Sequence, residues 1–184
     1  MQEPKTRAFI AVDIPSEIKA GIADASKELS SEGIKAVGNE QLHITLFFLG
    51  YLDEKQLEET KKALDRIQER QFGIDLKGIG TFGNRVVFVN ITKGAEELNA
   101  VYSGLFEAIA ALGARMERRE FAPHLTIARL KRFTKKETGI VKALVKKYPD
   151  RDFGSFVCTS IKLKQSALSR EGPAYTDLFV KELA

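Results

Sequence analysis

The chain has one cysteine, no tryptophan and only two histidines among its 184 residues. A lone thiol, Cys158, cannot form an internal disulfide or a cysteine-based metal site, which excludes disulfide scaffolds and zinc ribbons. A reduced, buried cysteine in a cytoplasmic protein is the expectation. Long apolar runs are also missing, and none approaches the ~20 residues that a membrane span needs. The opening Met1-Gln2-Glu3-Pro4-Lys5 lacks the apolar stretch of a signal peptide, which again favours the cytoplasm. No cluster of carboxylates or further histidines offers a ligand set for a catalytic metal. The reaction is therefore expected to need no metal and no other cofactor.

Hydrophobic residues make up 43% of the chain and charged residues 29%, enough for a sizeable core under a soluble surface. The length suits one domain, or two small lobes that share a core. The formal net charge is +4 and is unevenly spread. Residues 1–92 carry 12 basic and 14 acidic side chains, whereas residues 93–184 carry 17 and 11. A basic second half suits a polyanionic partner, although a solvated lysine-rich face would look the same. The Lys/Glu-rich composition is also compatible with a thermophile.

Apolar periodicity outlines the elements. Arg7 to Ile14 reads as a buried strand, and Pro15-Ser16 opens a helix to about Glu32. A loop through Gly38-Asn39 leads to a strand over Leu42–Leu49, stopped by Gly50. Asp53 reads as the N-cap of a helix over residues 54–70, with Leu57, Leu64 and Ile67 at helical spacing. Strands follow at Phe72–Ile79 and Arg85–Ile91, joined by Gly83-Asn84 turn chemistry. Residues 94–112 read as a helix stopped by Gly113, and Phe121–Leu130 as a strand. Residues 134–148 read as a basic helix, with closing strands at Phe153–Leu163 and Tyr175–Val180. This mixed order points to an α+β domain.

The two histidines share a pattern. Leu42-His43-Ile44-Thr45-Leu46 and Pro123-His124-Leu125-Thr126-Ile127 both read His–apolar–Thr–apolar, 81 residues apart. With Thr at roughly one position in twenty, chance would pair both histidines with it on the order of once in several hundred. Each motif is followed by a helix and strand-like sequence, so the expectation is a single domain, residues 1–184, of two similar lobes. Each lobe would carry one motif and face a central groove. Period-two alternation puts His43 and Thr45 on one face, backed by Ile44 and Leu46. His124 and Thr126 are likewise backed by Leu125 and Ile127.

Two imidazoles can supply one base and one acid near neutrality. Two hydroxyls can donate to the non-bridging oxygens of a phosphate. In-line displacement at phosphorus sets attacking and leaving oxygens on opposite sides, which matches a base facing an acid. A strained 2′,3′-cyclic phosphate, whose ribose oxygen needs a proton to leave, fits such a site. The sequence does not decide which histidine does which.

At these residues the chain resembles the 2H phosphoesterase superfamily, and within it the RNA 2′,3′-cyclic phosphodiesterases, also called 2′-5′ RNA ligases. Arg7–Val12 looks like the family's first strand. Leu42–Gly50 and Phe121–Arg129 look like its two motifs. Ser166-Ala167-Leu168-Ser169 with Gly172-Pro173-Ala174-Tyr175 looks like its C-terminal signature. The resemblance covers nearly the whole chain. It implies a bilobal α+β fold and hydrolysis of a terminal cyclic phosphate to a 2′-phosphate. It also implies joining of RNA ends, tRNA halves among them, through a 2′-5′ bond, with His43 as proton donor and His124 as proton acceptor.

Other candidates are weighed singly. Arg129 fits a phosphate-binding role, but its odd offset from His124 requires a bulge or strand end. A surface arginine is the plain alternative. Phe48 would stack on a base, although its odd offset from His43 argues equally for the core. Tyr175 would bond substrate or close the sheet. Arg118 and Arg119 would guide RNA or simply be solvated. Ser166 to Pro173 reads as a loop placed to lid the groove. The competing functions are a 2H enzyme acting on a small cyclic nucleotide or a 2′-5′ oligonucleotide, and an RNA-binding module without catalysis. The intact histidine pair counts against the binding module. A monomer is the default.

Overall fold

In the computed structural model, residues 5–29, 31–83, 85–111, 120–169 and 172–184 are described. The elements run β1 (Thr6–Asp13), α1 (Ser16–Lys27), β2 (Ile34–Ala36), a 3₁₀ turn (Asn39–Gln41), β3 (His43–Leu52), α2 (Glu54–Asp65), β4 (Phe72–Phe82) and β5 (Val86–Lys93). They continue with α3 (Ala95–Ala110), β6 (His124–Leu130), α4 (Lys135–Lys147), β7 (Asp152–Cys158), β8 (Ser160–Leu168) and β9 (Pro173–Glu182). The fold is α+β, as the mixed order of strands and helices implied.

The strands form one path, β7-β4-β5-β6-β3-β1-β8-β9, with β2 added against β6. Every pairing among the described residues is antiparallel. At the centre, β3 and β6 meet through a single pair, Ile44 opposite Leu125. Four strands of that path lie on each side of the seam, and β2 is the ninth. On one side α1 packs on β6 and β7, and α4 on β4; on the other α2 packs on β3 and β9, while α3 reaches both β3 and β5. Ile44, Leu125 and Ile127 are wholly buried and Leu46 nearly so, which anchors both motif strands from behind. Each such side chain contributes about 1.5–3 kcal/mol when taken out of water. Among the described residues no helix is long and apolar enough to cross a membrane.

Several expected boundaries move. The first helix stops at Lys27 rather than near Glu32, because Leu29 turns into the core and its N–H bonds to the Ser26 carbonyl. The short β2 that follows lies where a loop was expected; with one buried residue in three it carries too little alternation to read. The second helix ends at Asp65, five residues early, although Asp53 does cap it in a reciprocal box with Gln56. The strand expected from Phe121 starts at His124, after Pro123. The largest correction concerns Phe153–Leu163, expected as one strand. The chain breaks at Thr159: β7 pairs with β4 on one side of the seam and β8 with β1 on the other. Ser166 to Pro173 is likewise no free loop, since Ser166–Leu168 and Pro173 pair within the β8–β9 hairpin. Asn84, Gly113, Arg118 and Arg119 lie outside the described residues.

Candidate active site

Both motif strands contain the same irregularity. On β3, His43 and Thr45 are half-buried on one face, with Ile44 and Leu46 buried on the other. Then Ile10 pairs with Phe47 but Ala11 with Thr45, so Leu46 is an extra residue. Leu46 and Phe47 are both buried, and Phe48 emerges on the face of His43. On β6, Val87 pairs with Ala128 but Phe88 with Thr126, leaving Ile127 extra. Ile127 and Ala128 are both buried, and Arg129 emerges on the face of His124. A bulge of this kind sets two residues against one and reverses the parity beyond it. Position five after each histidine thus returns to the histidine's face, as phenylalanine in one strand and arginine in the other.

The seam sets the four motif side chains against each other. With Ile44 opposite Leu125, antiparallel register puts His43 across from Thr126 and Thr45 across from His124. Directly opposed Cβ atoms lie about 4.5–5.5 Å apart and diagonal ones about 7–8 Å. The imidazoles occupy one diagonal of this square and the hydroxyls the other.

Each imidazole is fixed in the same way. The His43 Nδ1–H donates to the Gln41 carbonyl at 2.7 Å, and the His124 Nδ1–H to the Ala122 carbonyl at 2.7 Å. Only Nδ1 can donate there, so in the neutral ring Nε2 keeps its lone pair. The surroundings differ. His43 lies 4.9 Å from the Phe9 ring and meets Tyr175 edge-on at 5.2 Å. His124 meets Phe82 edge-on at 4.9 Å and Phe88 at 5.3 Å. Burial pushes the His43 pKa below the usual imidazole value, Lys164 and Arg129 add to this, and the Gln41 bond and Asp13 oppose it. Burial also lowers His124, with Arg129 adding to it and the Ala122 bond opposing.

The charges beside His43 form a lattice. Lys164, nearly buried, reaches Asp13 at 2.9 Å and also bonds Asp177, while Lys162 bonds both carboxylates at 2.8 Å. Burial alone would raise the Asp13 carboxyl, but its bonds from the two lysines hold it below its ordinary range. Asp13 is the strand partner of His43.

A cavity of about 320 Å³ opens beside the seam. His43, Thr45, Thr126, Arg129, Phe48 and Tyr175 all line it, so most of the sequence candidates come together there. His124 is not among its lining residues; it stands across from Thr45. Phe48 is 64% exposed, which takes it out of the core. Burial raises the Tyr175 phenol, so it stays protonated, and its ring packs on both Phe9 and His43. Sequence reading missed Arg7, Gln41 and Lys35 as lining residues. Arg7 bonds Ser166 at 2.7 Å, and its shared parity with Phe9 on β1 was the available signal. Among the described residues no three His, Cys, Asp or Glu side chains gather as a metal site.

An antiparallel α+β sheet with a His-x-Thr-x strand on each side of its central seam defines a phosphoesterase of the two-histidine class. Comparison with known proteins agrees. Residues 14–177 match the model of the AKAP7 2′5′ RNA ligase-like domain. This chain belongs to that family of the 2H phosphoesterases. The RNA 2′,3′-cyclic phosphodiesterase of Methanocaldococcus jannaschii is 42% identical over 92% of this chain and 96% of its own length. That of Archaeoglobus fulgidus is 37% identical over 96% and 99%. Among solved structures, E. coli LigT in its apo form superposes with a TM-score of 0.82 at 25% identity, covering 99% of each chain. TT0787 of Thermus thermophilus gives 0.79 at 29% identity, covering 96% and 97%.

Proposed function

We propose that this chain hydrolyses the terminal 2′,3′-cyclic phosphate of an RNA to a 2′-phosphate, using His43 and His124 as acid and base. The observation that carries this reading is the diagonal pair of imidazoles, each with Nδ1 spent on a carbonyl and Nε2 left for chemistry. The named activity of full-length relatives at 37% and 42% identity supports the same reading. Taking the roles that the resemblance implies, His124 Nε2 accepts a proton from water as the water oxygen bonds to phosphorus. The P–O3′ bond breaks on the opposite side, and O3′ takes a proton from His43 Nε2. The products are a 2′-phosphate and a 3′-hydroxyl. Thr45 and Thr126 donate to the non-bridging oxygens. Arg129 offsets the charge of the phosphate, and Phe48 stacks on the terminal base. With the 5′-hydroxyl of a second RNA in place of water, His124 takes the hydroxyl proton as O5′ bonds to phosphorus, the P–O3′ bond breaks and O3′ takes a proton from His43, so joining of RNA ends through a 2′-5′ bond, tRNA halves included, uses the same groups.

The test is an EDTA-treated assay on a short RNA ending in a 2′,3′-cyclic phosphate. Wild type should yield a 2′-phosphate end. His43→Ala and His124→Ala should each lose about 10²–10⁴-fold in kcat. Strict metal dependence, or full activity in either variant, would sink the two-histidine mechanism.

A further inference from the structure

Outside the groove, the stretch Lys131-Arg132-Phe133-Thr134-Lys135-Lys136 between β6 and the first turn of α4 is exposed at every residue. It is nevertheless held in place. The Lys131 and Arg132 N–H groups both donate to the Gly33 carbonyl, at 2.7 and 3.2 Å. Glu137, the one carboxylate in residues 130–137, is turned inward and buried, where it accepts from Ser31 at 2.8 Å and from Thr134. Gly33 makes room for it, since a Cβ there would lie 2.6 Å from the Glu137 side chain. The acid is thus packed inside, and four cations are displayed outside on a fixed backbone. Between them Phe133 keeps 52% of its surface in solvent, with the Arg85 guanidinium 5.1 Å from its ring centroid.

This surface is continuous with the groove. Arg129 pairs with Lys35 on β2 and with Val86 on β5, and Arg85 directly precedes Val86. Lys35 and Arg129 themselves line the cavity. Among the described residues none of these cations is in an ion pair. Unpaired cations around an exposed aromatic ring are the chemistry of a single-stranded nucleic acid surface: charge follows the backbone, and the ring takes a base. An acidic protein face would use the charge but not the ring.

We propose that this surface is a track for the nucleotides on the 5′ side of the terminal cyclic phosphate, so that the preferred substrate is a single-stranded RNA end several nucleotides long rather than a mononucleotide. The proposal rests on the reading that the groove takes the terminal phosphate. Groove and track are separable, because Lys131, Arg132, Phe133, Lys135 and Lys136 do not line the cavity.

The experiment compares kcat/KM on a 2′,3′-cyclic mononucleotide and on an unstructured decanucleotide with the same end. Wild type should favour the decanucleotide. The quadruple variant Lys131→Gln/Arg132→Gln/Lys135→Gln/Lys136→Gln should lose about tenfold on the decanucleotide, through KM, and nothing on the mononucleotide. Its salt dependence should flatten by about 0.7 in log–log slope for each phosphate that is no longer neutralised. Phe133→Ala should lose about fivefold on the decanucleotide with the salt slope unchanged. Equal use of both substrates by wild type, or equal loss of both in the quadruple variant, overturns the track. If wild type turns over neither, the catalytic reading has failed, and binding then decides the track. Fluorescence anisotropy of a decanucleotide ending in a 3′-phosphate should show tighter, more salt-sensitive binding by wild type, and equal binding overturns the proposal.

Discussion

On β3, His43 sits against Phe9 and the edge of Tyr175, with a lysine–aspartate lattice beside it. On β6, His124 sits against Phe82 and Phe88, and Arg129 is the charge that acts on it. The backbone plan of the two strands is the same: a carbonyl two residues back holds Nδ1, a threonine two residues on shares the face, and a bulge returns position five to it. Repetition therefore supplies the positions of the groups. The neighbours, which are not repeated, are what can make one imidazole differ from the other.

The threonines give the largest way to break that comparison. Across the seam Thr126 faces His43, and Thr45 faces His124. If the hydroxyls serve one phosphate from its two sides, Thr45→Val and Thr126→Val should each lower kcat by about 10²-fold. Valine keeps the shape and the strand preference, so thermal stability should change little, and Thr→Ser at either site should restore most of the rate. A loss at one site alone would mean that the repeated geometry is used asymmetrically.

A smaller effect bears on which histidine is acid. In the free protein both rings are lowered, so the kcat/KM profile should be a bell whose limbs lie below those of ordinary imidazoles. Lys164 lowers His43, and Asp13 raises it. Lys164→Met removes the first and leaves the second, so the limb set by His43 should move to higher pH while the other stays. Movement of the alkaline limb makes His43 the proton donor. Movement of the acidic limb makes it the base, and immobility of both means that the lattice serves stability alone.

Much of this site was legible from residue order, because His-x-Thr-x needs only period-two alternation to put its polar groups on one face. The Asp53 cap was legible for a similar reason, since its partner lies three residues away. The bulges were not. A bulge is a relation to a partner strand, and the runs Leu46-Phe47-Phe48 and Ile127-Ala128 hide the parity change in uniform apolarity. That is why Phe48 read equally well as core. The break at Thr159 has no Gly or Pro to announce it. Its trace is a parity slip: buried Cys158 is followed by buried Ile161 and Leu163. Arg7, Ser166 and Tyr175 meet only because β8 and β1 are neighbours, a long-range fact that no local pattern carries.

The smallest expected effect compares the two histidines through folding. A ring whose pKa is lowered by burial stays neutral in the folded chain at a pH where the unfolded chain has already bound a proton. Below the ordinary imidazole value of about 6.5, unfolding then takes up that proton, and stability rises with pH in this window. The contribution is complete above that value and is lost as the pH falls through the folded-state pKa. The lowered Asp13 and Asp177 lose theirs only in the carboxylate range, well below this window. Between pH 7 and 5, wild type should therefore lose thermal stability faster than His43→Gln does. The same comparison with His124→Gln should give a smaller difference, because His124 is the less enclosed ring. Calorimetric melts at fixed ionic strength would show it. Equal slopes in the two variants would mean that the unlike surroundings of β3 and β6 do not separate the two imidazoles in energy, and that any division of roles arises only once substrate is bound.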